Sequence, residues 1–189
     1  MSLRHAILTA LLEKPCSGLE LTRRFDKSIG FFWPARHQQV YSELSKLEAD
    51  QLIESSTPQP LTRGAPKRYV VLPAGRRELA NWVSKPEGPR PVRDAVSVRL
   101  RAAAVVGPGS LVEELKQHQL HHEARRALYL DIQARDFSDR ELTPQQQIYE
   151  VILHGGIAHE EFRLRFIGEA LDVLSRIDSA MLPTSHSDS

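Results

Sequence analysis

A short run of polar side chains stands out in the sequence after Trp33. It consists of Arg36, His37, Gln38 and Gln39, with Ser42 about one turn further along. Arginine can donate two hydrogen bonds to guanine, glutamine can pair with adenine, and serine can bond to either kind of base edge. Grouped at the start of one helix, residues of these types indicate hydrogen bonding to base edges in the major groove of DNA.

The helix that would carry these side chains is predicted from the apolar residues around them. Three apolar residues recur with helical spacing, namely Val40, Leu44 and Leu47. Pro34 suits the first turn, because the amide that proline lacks would be unpaired there, and the helix is predicted to end near Asp50. Tyr41 and Lys46 lie further round or along the helix, where contact with DNA phosphates is favoured over contact with bases.

The neighbouring elements extend the same prediction. A first helix is predicted up to Pro15, and the capping box at 17–20, "SGLE", opens a second one. Segment 52–72 is typical of two short strands joined by a loop, and a fourth helix begins at Pro73. The basic residues of this hairpin are Arg63, Lys67 and Arg68. Three helices followed by a basic hairpin predict a winged helix-turn-helix whose wing contacts the minor groove or its flanking phosphates.

A proline-rich segment, "KPEGPRPVRD", interrupts the pattern of helices. It predicts a stiff linker, because helices and central strands do not pass through such spacing. The predicted divisions are a DNA-binding domain at 1–84, the linker at 85–94, a helical domain at 95–180 and a disordered tail at 181–189. Residues 1–90 hold 14 Lys and Arg against 9 Asp and Glu, whereas residues 91–189 hold 11 against 15. A basic front half indicates a module that binds a polyanion.

The rear half predicts three helices, the last two of them long. Four residues of the last helix lie on a near-heptad apolar seam and are predicted to form a dimer interface: Ile148, Ile152, Phe162 and Phe166. Helices this long in one short segment cannot all bury their apolar stripes within one chain, so the sequence predicts a homodimer. The predicted fold is mainly α, with an α+β winged helix-turn-helix domain followed by an all-helical dimerisation domain.

The same seam contains a histidine and a pair of glycines. Gly155 and Gly156 in the middle of a helix cost about 1 kcal/mol each relative to alanine, a cost that is tolerated where another helix or a ligand must approach closely. His159 follows them. One interpretation is a hydrogen-bonded interface histidine beside a tight helix crossing. The other is an effector pocket for a small aromatic molecule, bordered by these three residues and Trp82.

Other classes of function find no support in the residues. The segment "HEEFR" at 159–163 lacks the second histidine of a zinc-protease motif, and neither a metal site, a cofactor nor an enzymatic activity is predicted. The single cysteine, Cys16, excludes an internal disulfide and fits a reducing cytoplasm. No apolar run approaches the roughly 20 residues that cross a bilayer, so no membrane association is predicted.

Three stretches of the front half carry a family resemblance. They are "LRHAILTALLEKPCSGLELTRRFD", "VYSELSKLEADQLIE" and "GAPKRYVVLPAGRRELANWV". The second contains a Tyr-x-x-Leu-x-x-Leu-Glu pattern that ends at Glu48, and together the stretches resemble the PadR family of bacterial transcription regulators. The resemblance implies a homodimeric repressor on a palindromic operator, and the predicted function adds its release by a small-molecule effector. The alternative is a winged-helix protein-interaction or scaffold module without sequence-specific DNA binding, which the basic wing argues against.

Overall fold

The computed structural model describes residues 3–27, 33–56, 67–89, 91–138 and 141–181. The described residues are mainly helical with a small antiparallel sheet, which confirms the predicted fold class. The chain divides into two compact units, Met1–Arg90 and Pro91–Ser189. Among the described helices, none combines the length and the apolar character needed to cross a membrane.

The first unit contains four helices and three strands. Their bounds are α1 Leu3–Glu13, β1 Cys16–Ser17, α2 Gly18–Lys27, α3 His37–Ala49, β2 Ile53–Ser56, β3 Arg68–Val71 and α4 Pro73–Ser84. The strand order is β1-β3-β2, and both pairs are antiparallel. Strand β1 was not predicted, because two residues are too few to show the alternation that identifies a strand.

The core of this unit joins α1, α2, α3 and β2. Its largest fully buried side chains are Ile7, Leu8, Leu11, Leu21, Phe25, Val40, Leu44, Leu47 and Ile53. The three apolar residues predicted to face inward from α3 are among them. Burial of a leucine or phenylalanine side chain contributes about 1.5–3 kcal/mol, so this cluster fixes which side of α3 remains in contact with solvent.

The start of α3 differs from the prediction. The helix begins at His37, and Arg36 before it has an extended conformation with φ −72° and ψ 147°. Pro34 therefore lies outside the helix, and its predicted place in the first turn is wrong. The physical reason is that Gln39 closes the helix start: its side-chain Oε1 accepts a hydrogen bond of 2.9 Å from the backbone N–H of Arg36.

The second unit contains three helices, α5 Ala95–Val106, α6 Leu111–Asp136 and α7 Pro144–Met181. Asp94 caps α5 by accepting a hydrogen bond of 3.0 Å from the backbone N–H of Val96. Gly107, with φ 89°, ends that helix in a conformation that side chains disfavour. Helices α6 and α7 run antiparallel, since Arg126 bonds to Glu161 while Gln133 further along bonds to His154.

Helix α7 has two apolar faces. One face packs within the unit and buries Ile157, Ile167 and Leu174. The other carries most of the predicted seam, where the exposed fractions are 62% at Ile148, 47% at Ile152 and 49% at Phe162. The fourth seam residue, Phe166, is half-buried in the core of the unit, and its ring stacks on Phe162 with centroids 6.1 Å apart.

A buried polar cluster lies between α6 and α7. Glu160 is 2% exposed, bonds to His122 Nδ1, and lies 3.4 Å from Nε of Arg125. The same guanidinium donates a hydrogen bond of 2.7 Å to the hydroxyl of buried Tyr129, and this bond raises the pKa of Arg125 although burial opposes it. A Cβ atom on Gly156 would lie 3.2 Å from the Tyr129 ring, so this glycine allows the two helices to approach.

Candidate nucleic-acid interface

The solvent-facing side of α3 is lined by polar residues. Gln38, Ser42, Ser45 and Lys46 are all exposed on the side opposite the buried apolar stripe. Ser45 was not among the predicted site residues. Its spacing of three from Ser42 and seven from Gln38 was the sequence signal that could have identified it. One helix face therefore presents three hydrogen-bonding side chains and a cation within little more than two turns.

An open depression of about 440 Å³ runs along this surface. Its lining residues are Leu3, Arg36, Gln38, Gln39, Ser42, Glu43 and Lys46. Five of the seven residues predicted on the recognition helix are thus brought together. The other two, His37 and Tyr41, are exposed but do not line it. Glu43 was not predicted there, and an acidic residue would not be expected beside cations that are predicted to contact DNA.

The two glutamines of this surface are not equivalent. Gln39 uses its Oε1 to bond the backbone N–H of Arg36, as described above. Bidentate pairing with adenine needs both the oxygen and the nitrogen of a glutamine amide. Gln39 would have to share or release its helix-capping bond to pair in this way. Gln38 is exposed in the depression, so it is better placed to pair with a base.

Tyr41 connects α3 to α2. A Cβ atom on Gly18, the first residue of α2, would lie 2.5 Å from Cε1 of the Tyr41 ring. The ring therefore rests on the backbone at the start of α2, and 44% of Tyr41 remains exposed. Its contact with phosphate stays a prediction, and its ring also fixes how closely these two helices approach.

The start of α2 is capped as predicted. The Glu20 carboxylate accepts hydrogen bonds of 2.8 Å and 3.1 Å from the backbone N–H and the hydroxyl of Ser17, and the Ser17 hydroxyl accepts one of 3.2 Å from the Glu20 backbone. The bond from the Ser17 backbone N–H is the largest cause of a lowered pKa at Glu20. This arrangement sets the position at which α2 begins, next to β1.

The predicted wing residues have different surroundings. Lys67 is exposed immediately before β3. Arg68 instead donates a hydrogen bond of 2.6 Å to the backbone oxygen of Pro15 and lies 3.7 Å from the Glu20 carboxylate. Its guanidinium therefore connects β3 to the segment before α2. Arg63 and most of the connecting loop lie outside the described residues.

An ion-pair network joins α1 to α3. Arg4 bonds to Asp50 and donates a hydrogen bond of 3.3 Å from Nε to Oε1 of Glu43. Burial lowers the pKa of Arg4, but the bonds to these two carboxylates outweigh it and the pKa is raised. Lys46 lies 3.5 Å from the other carboxylate oxygen of Glu43. The network holds the depression in a defined shape.

The residues predicted to border an effector pocket belong to different units. Trp82 lies in the first unit, where its ring stacks on His5 with centroids 4.5 Å apart. In the second unit Gly156 faces Tyr129, whereas Gly155 and His159 are exposed on α7. Their grouping into one pocket stays a prediction. Within the described ranges, no group of three or more His, Cys, Asp or Glu side chains is arranged to hold a metal ion.

Comparison with known proteins identifies the family. The sequence model of the PadR-like transcriptional regulators matches residues 7–81, and that of the C-terminal region of virulence activator alpha matches residues 92–175. A probable transcriptional regulator of Mycobacterium tuberculosis is 33% identical over 185 residues, which cover 92% of this chain and 98% of the relative. The chain belongs to the PadR family of transcriptional regulators. The family predicted from the sequence is thereby confirmed.

Solved structures of two proteins extend the similarity of this PadR-family chain. The Vibrio cholerae virulence activator AphA is 29% identical, with a TM-score of 0.77 over 93% of this chain and 99% of AphA. Bacillus subtilis PadR bound to operator DNA also has a TM-score of 0.77, over 90% of this chain and 97% of that one. Its identity of 23% makes this a likeness of fold. The same protein has been solved with p-coumaric acid, at 20% identity and a TM-score of 0.72 over 92% of this chain and 98% of that one.

The sequence of Bacillus subtilis PadR, a negative transcriptional regulator, also matches part of this chain. It is 34% identical over 93 residues, which are 49% of this chain and 51% of that protein.

Proposed function

We propose that this PadR-family regulator binds a palindromic DNA operator as a homodimer, represses the adjacent gene, and is released by a small aromatic effector. The observation that carries the proposal is the polar, solvent-facing side of α3, opposite a fully buried apolar stripe. B-DNA's major groove is wide enough for one α-helix, and side chains near the helix start reach the base edges.

The proposed contacts divide into two kinds. Gln38 and Ser42 contact base edges, because they are exposed along one line of the helix. Ser45 lies on the same line, and its hydroxyl, which donates to the backbone oxygen of Tyr41 at 3.2 Å, can accept a hydrogen bond from a base. Arg36 can bond guanine or phosphate from the helix start, and Lys46 contacts phosphate. The remaining predicted residues support these contacts from the flanks of α3 and from the wing: His37, Gln39, Tyr41, Arg63, Lys67 and Arg68.

The homodimer is proposed from the outer face of α7. Ile148, Ile152 and Phe162 are each roughly half exposed or more within one chain. Exposed large apolar side chains grouped on one helix face are typical of a protein interface. A two-fold dimer presents two copies of α3, and a palindromic operator has the matching symmetry.

The effector is proposed from the resemblance between this chain and Bacillus subtilis PadR, which has been solved with p-coumaric acid. Exposed His159 can bond a carboxylate, and Gly155 leaves space beside it, with nothing within 4 Å of where its Cβ would lie. Calorimetric titration of the full chain with p-coumaric acid tests this. Binding that is unchanged in His159→Ala would remove His159 from the site, and no binding by the wild type would exclude this effector.

The experiment for the main proposal compares operator and random DNA. Gel-shift titrations with the promoter beside the protein's own gene, and with random duplexes of equal length, are run at several salt concentrations. We expect promoter binding at least about a thousandfold tighter than random binding, with both falling as salt rises. Equal affinity for the two duplexes would contradict the proposal and favour a protein-interaction module.

Activation is a second candidate for the direction of regulation. The rear half matches the C-terminal region of virulence activator alpha over residues 92–175, and AphA is a virulence activator. The match of the front half with a negative regulator favours repression. A reporter gene behind the bound promoter separates them: deletion of the regulator raises expression under repression and lowers it under activation.

A further inference from the structure

We infer that Glu43 determines part of the base preference of the α3 surface. Its carboxylate is proposed to accept a hydrogen bond from the exocyclic amino group of a cytosine in each operator half-site. The same charge would weaken the phosphate contact of the neighbouring Lys46, whose ammonium lies 3.5 Å from Oε2 of Glu43. The inference rests on the proposed DNA binding and adds to it the chemistry of one operator position.

The geometry places Glu43 on the interface surface. It lines the same depression as Gln38, Gln39 and Ser42, and it lies one helical turn after Gln39. Its side chain is 17% exposed. Among the described residues that line the depression, Glu43 is the only one with a negative charge, beside the cations Arg36 and Lys46.

The carboxylate is held in a fixed position. Arg4 donates to Oε1 at 3.3 Å, and the Lys46 ammonium lies 3.5 Å from Oε2. An ionised carboxylate has about four acceptor positions, so two polar partners leave capacity for a third. A side chain that is already fixed in place loses little conformational entropy when it binds.

The chemistry of base edges favours cytosine for such a group. In the major groove cytosine presents an N4 donor, whereas guanine presents two acceptors and thymine one acceptor and a methyl group. A carboxylate accepts hydrogen bonds and donates none, so it repels acceptor edges and phosphate oxygens. Rejection of wrong partners contributes to specificity as much as attraction of the right one.

The connection of α3 to α1 does not by itself require this carboxylate. Arg4 also bonds to Asp50, beyond the end of α3, and Asp50 does not line the depression. Glu43 and Asp50 therefore both bond to Arg4, but only Glu43 lies on the surface that is proposed to contact DNA. This difference provides a matched control, because loss of either acid weakens the connection while only loss of Glu43 changes the interface.

The test compares the full chain with Glu43→Gln, Glu43→Asp and Asp50→Asn. The wild-type operator is first selected from random duplexes, and each half-site position is then substituted. For wild type we expect one cytosine whose change to thymine weakens binding roughly tenfold or more. In Glu43→Gln that penalty should fall to about twofold, because an amide can also donate to thymine, and binding to random DNA should rise about two- to fivefold.

The other variants separate charge from geometry. Glu43→Asp keeps the charge but shortens the side chain, so weak random binding should persist while the cytosine preference falls. Asp50→Asn should keep the wild-type preference. The inference is overturned if Glu43→Gln keeps every base preference of wild type, or if Asp50→Asn loses the same preference. Wild type without any base preference would instead overturn the proposed function and this inference with it.

Discussion

At the scale of single residues, the end of α3 contains a strained backbone. Gln51 has φ 56°, in the left-handed region that favours glycine. Two hydrogen bonds of 3.0 Å fix this geometry, from the backbone N–H of Gln51 to Glu48 and from that of Leu52 to Leu47. This is the pattern in which a left-handed residue closes a helix, and the residue in that place is most often glycine.

Replacement of Gln51 by glycine should therefore stabilise the first unit. We expect a gain of about 0.5–1 kcal/mol in the free energy of unfolding, because glycine adopts this φ without a steric cost. Urea denaturation followed by circular dichroism measures it. Gln51→Ala serves as the control, because alanine retains the steric cost, and an equal gain from it would contradict the explanation.

The two glutamines of the interface give the second prediction. Gln38→Ala should relax operator preference by about 1–3 kcal/mol at one position, with little change in stability. Gln39→Ala should instead lower the stability of the first unit by about 0.5–1 kcal/mol, because it removes the bond to the backbone of Arg36. Operator-variant titrations and urea denaturation on both variants distinguish these effects. The reverse assignment of effects would refute our account of the surface.

The sequence was sufficient to predict most residues that line the depression along α3, but not which interactions each of them makes. Residue type and helical spacing predicted Arg36, Gln38, Ser42 and Lys46. The hydrogen bond between Gln39 and the Arg36 backbone depends on where α3 begins. The sequence predicted that position wrongly, because Pro34 suggested an earlier start. Glu43 was missed because its position beside Arg4 results from the packing of α1 on α3, which spacing within one helix does not report.

At the scale of elements, the start of α5 depends on Asp94. Its carboxylate accepts bonds from Arg163 at 2.8 Å, from the Ser97 hydroxyl at 3.0 Å and from the Val96 backbone at 3.0 Å. Burial raises the pKa of Asp94, but these bonds, with that from Arg163 the largest, outweigh it and the pKa is lowered. Arg163, the residue that rules out the zinc motif, thus has a structural role.

A lowered pKa in the folded state gives the third prediction. The stabilisation from Asp94 is fully present above its unfolded pKa of about 3.9 and is lost as pH falls through the folded value. Exchange of the α5 amides, expressed relative to the intrinsic rate of unstructured amides at the same pH, should therefore accelerate on acidification in wild type. In Asp94→Asn it should be faster already at pH 7, by an amount equivalent to about 1 kcal/mol, and less sensitive to pH. Asp172→Asn, at an exposed position of α7, is the control and should behave as wild type.

The fourth prediction compares two adjacent acidic residues of α7, Glu160 and Glu161, in the packing of α6 against α7. Glu160→Ala should destabilise the second unit by about 3–5 kcal/mol, because it leaves the Arg125 guanidinium without its buried counter-charge. Glu161→Ala should cost less than about 1 kcal/mol, because Glu161 pairs with Arg126 at the surface. Thermal denaturation of both variants measures the difference. Similar losses in the two would mean that burial of Glu160 is not what stabilises the helix pair.

Element boundaries were predictable where caps and breakers are local. The Ser17–Glu20 capping box and the start of α4 at Pro73 agree with the sequence. What the sequence did not reveal was the assignment of faces on α7. A single near-heptad seam was predicted, whereas α7 also has a second, buried face. That face contains Glu160, and a charged residue among apolar ones made it look like a solvent-exposed side in the sequence.

At the scale of the whole molecule, the affinity for DNA is expected to depend both on the charge of the first unit and on the two-fold symmetry of the proposed dimer. The positive excess lies in residues 1–90 and the negative excess in residues 91–189. Attraction to DNA is therefore expected to come from the first unit, while the second supplies the proposed dimer contacts. In such an arrangement affinity for a palindrome depends on joining two weakly binding units, because linked binding sites act at a high effective concentration.

The last prediction tests that dependence. Ile152→Asp and Phe162→Asp place charges on the exposed face of α7, so the dimer should dissociate, as analytical ultracentrifugation would detect. Affinity for the full palindrome should fall roughly a hundredfold, because the second half-site no longer adds to the first, while affinity for an isolated half-site should stay within about twofold. Val83→Asp, at a valine 72% exposed on the first unit, should leave both unchanged. If the α7 variants remain dimeric, the interface lies elsewhere. If they become monomeric but keep full palindrome affinity, dimerisation is not what gives the palindrome its advantage.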